Sequence, residues 1–198
     1  MKILKTDFLI RQGPFSRSDT FENILGEVHH AISTITWPED SDTFTLYPVK
    51  QSNGVVPIKK NFISALEQKG WKGEHRMKIA SRLRPGPVDS VKCLPDGKFF
   101  AVEWETGNIS SSHRALNKMA VGLLENVIEG GILILPSRNM YYFLTDRIGN
   151  YAELEPYFAV WKNLKISEGV LAIIEIEQDA LSMEVPPIRK GTDGRALR

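Results

Sequence analysis

Two carboxylates one residue apart, Glu103 and Glu105, are followed within a dozen residues by Asn108, Ser110, Ser111, Ser112, His113 and Arg114. The pair closes a run, Phe99-Phe100-Ala101-Val102, that predicts a β-strand. The polar group opens a stretch whose apolar spacing is helical. Strand side chains alternate faces, so Glu103 and Glu105 share one face and Trp104 points to the other. Crowded carboxylates raise one another's pKa, and a divalent cation relieves the repulsion. All-oxygen ligands favour magnesium, manganese or calcium over zinc. Such a cation generates a nucleophilic water and stabilises charge at phosphorus. For an isolated Glu-x-Glu, an exposed acidic strand end is the commoner explanation. For a single Asn or Ser at a helix start, it is capping. Amide, hydroxyl and guanidinium groups gathered at one helix N-terminus also suit phosphate and base edges, Asn pairing with adenine and Arg with guanine.

The elements that must position these groups begin with a hairpin. Val88 to Leu94 is one strand, Pro95-Asp96-Gly97 the turn, and Lys98 to Glu105 the other strand. A three-residue loop sets Asp89 opposite Glu103 and brings three carboxylates to one face. A two-residue loop sets Asp89 opposite Trp104 instead. A helix from Ser110 to about Ile128 follows, with Leu116, Met119, Ala120, Leu123, Leu124 and Val127 at helical spacing, and Gly130-Gly131 stops it. Upstream, Phe21, Ile24, Leu25, Val28 and Ile32 predict a helix over 18–34, capped by Ser18 or Asp19. Thr43 to Tyr47 is a short extended segment and Asn53-Gly54 a turn. Pro57 opens a second helix that ends near Gly70. Downstream, Ile132–Leu135, Tyr141–Leu144 and Val170–Ile176 read as strands and 151–162 as a helix. Val185-Pro186-Pro187 opens an irregular tail. Asp146-Arg147 is a second candidate for base contact, with a loop ion pair as the alternative. The pattern predicts one α/β domain over 1–198, with a central mixed sheet flanked by helices on both faces.

Composition sets the outer bounds. With 42% hydrophobic and 25% charged residues the chain is an ordinary globular protein, and no apolar run is long enough for a membrane span. One cysteine, Cys93, excludes an internal disulfide and a multi-cysteine zinc site, and a cytoplasmic setting is expected. A net charge of +1 makes no case for nucleic acid, so distribution matters more. Lys69, Lys72, Arg76, Lys78, Arg82 and Arg84 stand against Glu74, and Arg189, Lys190, Arg195 and Arg198 against Asp193. Solvated faces and phosphate contacts both fit those runs.

The segment Glu103-x-Glu105-Thr-Gly-Asn-Ile-Ser-Ser-x-His-Arg-x-x-Asn117-Lys118 resembles the BamHI family of type II restriction endonucleases. So do Asn53-Gly-Val-Val-Pro-Ile-Lys59, Gly86-Pro-x-Asp89, Leu144-Thr-Asp-Arg147, Glu153-Leu-Glu-Pro-Tyr-Phe158 and Lys190-Gly-x-Asp-Gly194, in the same order. The resemblance implies a restriction-endonuclease-like fold and magnesium-dependent hydrolysis of duplex DNA at GGATCC by a homodimer, leaving 5′-phosphate and 3′-hydroxyl ends. It implies two magnesium ions per site, with manganese able to substitute and calcium supporting binding without cleavage. Asp89, Glu103 and the Trp104 carbonyl would hold one metal, and Asp89 with Glu74 the second. Glu105, where most relatives of the wider fold carry lysine, would be the general base or orient the water. Asn108, Ser110, Arg114, Asp146 and Arg147 would read bases. Lys59, Gly191, Thr192, Asp193 and Gly194 would contact the backbone and minor groove, the last four in an irregular arm over 183–198. Leu116, Met119, Leu123, Leu154 and Phe158 would lie at the dimer interface. A cognate methyltransferase would act in the host without binding the enzyme. A sequence-specific DNA-binding protein without catalysis and a metal-dependent phosphoesterase of other substrates are the alternatives. Intact Asp89, Glu103 and Glu105 weigh against the former.

Overall fold

A computed structural model describes residues 1–79, 86–145 and 147–191. Its strands are β1 (Lys2–Gln12), β2 (Thr45–Leu46), β3 (Lys72–Arg76), β4 (Pro87–Cys93), β5 (Phe99–Trp104), β6 (Ile128–Pro136), β7 (Gly169–Glu177) and β8 (Ala180–Leu181). Its helices are α1 (Asp19–Ser33), α2 (Val56–Glu67), α3 (Ile109–Leu124), α4 (Arg138–Tyr141), α5 (Tyr151–Leu154) and α6 (Phe158–Lys162). Six strands form a mixed sheet in the order β1-β7-β6-β5-β4-β3, while β2 and β8 pair separately. The centre, β5-β6-β7, is parallel and both flanks are antiparallel.

The mixed sheet with helices on both faces agrees with the sequence expectation. One core holds Phe21, Val28 and Ile32 from α1, Phe62 and Leu66 from α2, and Phe100, Val102 and Trp104 from β5. The other holds Leu116, Met119 and Leu123 from α3 with Leu154, Phe158 and Trp161. Because both faces are covered, β6 and β7 are almost wholly buried, which is why they read as continuous apolar runs. Ser18 caps α1, its side chain accepting from the Phe21 N–H.

Four local expectations need correction. Gly130-Gly131 does not end a helix: it lies inside β6. A Cβ at Gly130 would meet the Phe100 ring at 2.3 Å, and one at Gly131 would meet the Met119 sulfur at 2.3 Å. The glycines let side chains from the two cores close onto the strand. Tyr141–Leu144 is the end of α4 and a turn, because Ser137 caps a short helix there by accepting from the Met140 N–H. The 151–162 segment is two short α-helices around a 3-10 turn containing Pro156. Asn53-Gly54 is a buried junction, not a surface turn.

Three strands had no sequence prediction, the two-residue β8 among them. β1 is an edge strand whose Lys2, Lys5, Asp7 and Arg11 dilute the apolar signal. β3 is the opposite edge and reads Lys-Gly-Glu-His-Arg. Arg82 and Arg84 of the basic run, and Arg195 and Arg198 of the tail, lie outside the described residues.

Candidate active site

The hairpin takes the three-residue loop. Ser90 pairs with Val102 and Cys93 with Phe99, and the Leu94 N–H donates to the Lys98 carbonyl. Asp89 and Glu103 are therefore brought together: the Asp89 N–H donates to Glu103 Oε2 at 3.3 Å, and the Trp104 N–H donates to Asp89 Oδ2 at 2.8 Å. The Trp104 ring turns to the opposite core and packs on Phe62 at 4.8 Å between centroids. Burial, then the neighbouring Asp89 charge, raises the Glu103 carboxyl from its ordinary 4.5 to about 8, against the opposing pull of Lys118 and Lys59.

Glu105 is brought to the same cleft but faces the helix start. Only 5% of it is exposed. The Gly107 N–H donates to Oε1 at 2.5 Å, and the buried Ser112 hydroxyl donates to Oε2. Burial pushes the Glu105 carboxyl up, while these hydrogen bonds pull it down. Asn108 caps α3, its side-chain oxygen accepting from the Ser111 N–H, and stays exposed. Ser110 and Arg114 lie one turn apart on α3, both exposed, and line the same cleft of about 920 Å³ as Asp89, Glu103 and Glu105.

Two lysines flank the carboxylates. Lys59 Nζ, from the first turn of α2, is 2.5 Å from Asp89 Oδ1. Lys118 Nζ, from α3, donates to the Gly86 carbonyl at 2.8 Å. Burial lowers the Lys118 pKa, offset by Glu103 and Asp89. Sequence reasoning gave Lys59 only a backbone contact with DNA, whereas it sits on the central carboxylate. It gave Lys118 and Ser112 no role. The spacing Ser110-Arg114-Lys118 puts three polar groups on one face of α3, a signal that could have found the second lysine.

Other expectations fare differently. Glu74 falls level with Asp89 in the strand register, between the Gly73–Ser90 and His75–Val88 pairs. It is nevertheless exposed, has φ of +47°, and does not line the cleft. Among the described residues no three His, Cys, Asp or Glu side chains form a group ready to hold a metal. Leu116, Met119, Leu123, Leu154 and Phe158, expected at a dimer interface, are buried in the core, because α3, α5 and α6 need those faces to cover the sheet. Arg147 is exposed, with φ of +70°. Gly191 lies against Val56 at the start of α2. Asp146, Thr192, Asp193 and Gly194 lie outside the described residues.

The residues present fit a hard divalent cation. The donors are carboxylate oxygens, one already neutralised by an ammonium group, and Glu103 is held in a form that resists ionisation without more positive charge. Asp89 and Glu103 would hold the ion.

The acidic groups lie at the end of a parallel–antiparallel sheet, beside a polar helix start, and the fold that holds them is restriction-endonuclease-like. The fold agrees with the solved structure of the restriction endonuclease BglII complexed with a DNA 16-mer: TM-score 0.65, 12% identity, 90% of this chain and 79% of that one covered. Free BglII matches with a TM-score of 0.53 at 11% identity, over 90% of this chain and 81% of its own. The family described as restriction endonuclease BamHI matches residues 1–195, and the chain belongs to that family. It is 53% identical to the type II restriction enzyme OkrAI of Oceanobacter kriegii over 198 residues, the whole of both chains. It is 37% identical to the type II restriction enzyme BamHI of Bacillus amyloliquefaciens over 191 residues, 92% of this chain and 87% of that one. No helix among the described residues is long and apolar enough to cross a membrane.

Proposed function

We propose that the protein is a magnesium-dependent endonuclease that cuts duplex DNA within GGATCC as a homodimer, leaving 5′-phosphate and 3′-hydroxyl ends. The observation that carries this reading is that Asp89, Glu103 and Glu105 share one cleft with the exposed Ser110 and Arg114, while the short link Thr106-Gly107 joins Glu105 to the exposed Asn108 at the start of α3. One cleft thus offers carboxylates for phosphate chemistry and side chains for base edges.

Bound magnesium would neutralise the phosphate and make its attacking water more acidic. Asp89 and Glu103 would hold the ion. Glu105, fixed by the Gly107 N–H and the Ser112 hydroxyl, orients the water or takes its proton. Lys59 and Lys118 bring positive charge to the phosphate. Asn108, Ser110, Arg114, Asp146 and Arg147 read the bases. Lys190 and Gly191, at the end of the described residues, lie towards the DNA backbone and minor groove.

A palindrome with two equivalent strands calls for a two-fold dimer. Exposed apolar residues on the outer side of α3 and α6 support that assembly: Leu124 and Val160, with Tyr157 packed on His113 at 4.7 Å. They replace the buried set expected from sequence.

Plasmid digestion with magnesium, followed by sequencing of the ends, tests the reading. The expected outcome is cutting confined to GGATCC with the stated termini. Diffuse cleavage, or none in any divalent metal, rejects it.

A further inference from the structure

Asp89 uses both oxygens. Oδ2 accepts from the Trp104 N–H at 2.8 Å, and Oδ1 meets Lys59 Nζ at 2.5 Å. The first partner is backbone and cannot leave without breaking the strand. The second is the end of a flexible four-carbon stem. The backbone beneath that stem is fixed. Ile58 and Phe62 are buried on either side of Lys59 along α2, and Phe62 packs on Trp104, the residue whose N–H holds Asp89. Only the ammonium is therefore free to move.

A divalent ion on Oδ1 and an ammonium on the same oxygen repel each other strongly in a partly buried site. Both stay only if the lysine finds another anion. The other lysine of the cleft is pinned to the Gly86 carbonyl. The anion that reaches this cleft during the reaction is a DNA phosphate.

We propose that Lys59 is an exchangeable counter-ion: it neutralises Asp89 in the DNA-free protein and cedes that oxygen to the metal when a phosphate takes over the ammonium. The inference rests on the nuclease reading above and adds an order of events. Metal binds weakly to the free protein and tightly once DNA is in place, so the cutting apparatus is charged only on DNA. In this scheme Lys59 acts on the metal through Asp89 and on the DNA by pairing with its phosphate.

The test is calorimetric titration of manganese alone, at neutral pH and without DNA, into wild type, Lys59→Gln, Lys59→Arg and Asp89→Asn. Lys59→Gln is expected to bind manganese tighter by on the order of tenfold, the effect of removing one adjacent charge from a carboxylate. Lys59→Arg retains the charge and stays near wild type, which separates charge from packing. Asp89→Asn loses the binding. Equal or weaker affinity in Lys59→Gln, tightening in Lys59→Arg as well, or no manganese binding by any variant overturns the inference. Plasmid cleavage by wild type with unchanged affinity in Lys59→Gln rejects the counter-ion alone. Tightening without any cleavage rejects the nuclease reading alone.

Discussion

Asp89 and Asn53 are both buried polar side chains, and the protein around them treats them in opposite ways. Asn53 has no exposed surface, and every polar atom has a partner. Its amide nitrogen donates to the Tyr47 carbonyl at 2.9 Å and the Phe143 carbonyl at 3.0 Å, and its amide oxygen accepts from the Ile188 N–H at 3.2 Å. Its backbone N–H donates to Phe143, and its carbonyl accepts from Thr145. Asp89 sits beside a second, partly buried carboxylate, and the two flanking lysines do not offset burial and mutual repulsion enough for both to ionise freely. A fully satisfied amide holds loops together. An under-compensated carboxylate pair keeps a demand for cations that a ligand can meet. Burial of polar atoms is common to both, and the number of partners separates structure from chemistry.

The sharpest way to break that contrast is Glu103→Gln. Cleavage is expected to fall by on the order of 1,000-fold in single-turnover assays, the scale of losing a main electrostatic contact. The metal-free protein should nevertheless be no less stable. The Glu103 carboxyl is raised in the fold, so its contribution is full below its ordinary 4.5 and is lost as pH rises towards about 8. Thermal unfolding in chelator should show wild type losing stability across that window and the variant losing less. A flat wild-type profile would mean that the carboxylates are already compensated.

Asn53→Ala should do the reverse. It removes the amide donor to the Tyr47 and Phe143 carbonyls and leaves the buried Ile188 N–H without its acceptor, at a cost of about 2–3 kcal/mol in urea denaturation, with catalytic groups untouched. A loss below about 1 kcal/mol would show that water replaces the amide. Gly54→Ala sharpens the same side with a smaller effect. Its Cβ would stand 2.2 Å from the Arg189 carbonyl, and the Gly54 N–H already donates to the Ile188 carbonyl at 2.8 Å. The tail must shift, at about 1–2 kcal/mol, and limited proteolysis should cut it sooner while the sheet stays intact. Unchanged tail protection would detach the arm from this junction.

The hairpin was legible because its cause is local. Pro95-Asp96-Gly97, with Gly97 at φ of +85°, fixes the loop and therefore the facing of Asp89 and Glu103. The helices α1, α2 and α3 were legible because their buried faces repeat at helical spacing. What escaped depends on distant partners. Lys59 reads as a surface lysine until α2 is docked beside β4. Asn53-Gly54 reads as a turn until the segments at 143–145 and 188–189 meet it. The residues expected at a dimer interface turn out to be core residues, because an apolar helical face is the same in sequence whether it covers its own sheet or a second chain. Glu74 was carried by resemblance, and no local pattern could place its side chain.

The edge strand β1 has consequences for how the protein comes into being. It pairs only with β7, so residues 2–12 have no sheet partner until residues 169–177 have been made. β7 also backs β6, which in turn backs the strand carrying Glu103. A nascent chain can form the acidic hairpin early, because its contacts are local, yet lacks the wall behind it until synthesis is nearly over. The order of translation thus withholds a complete cleft from unfinished chains.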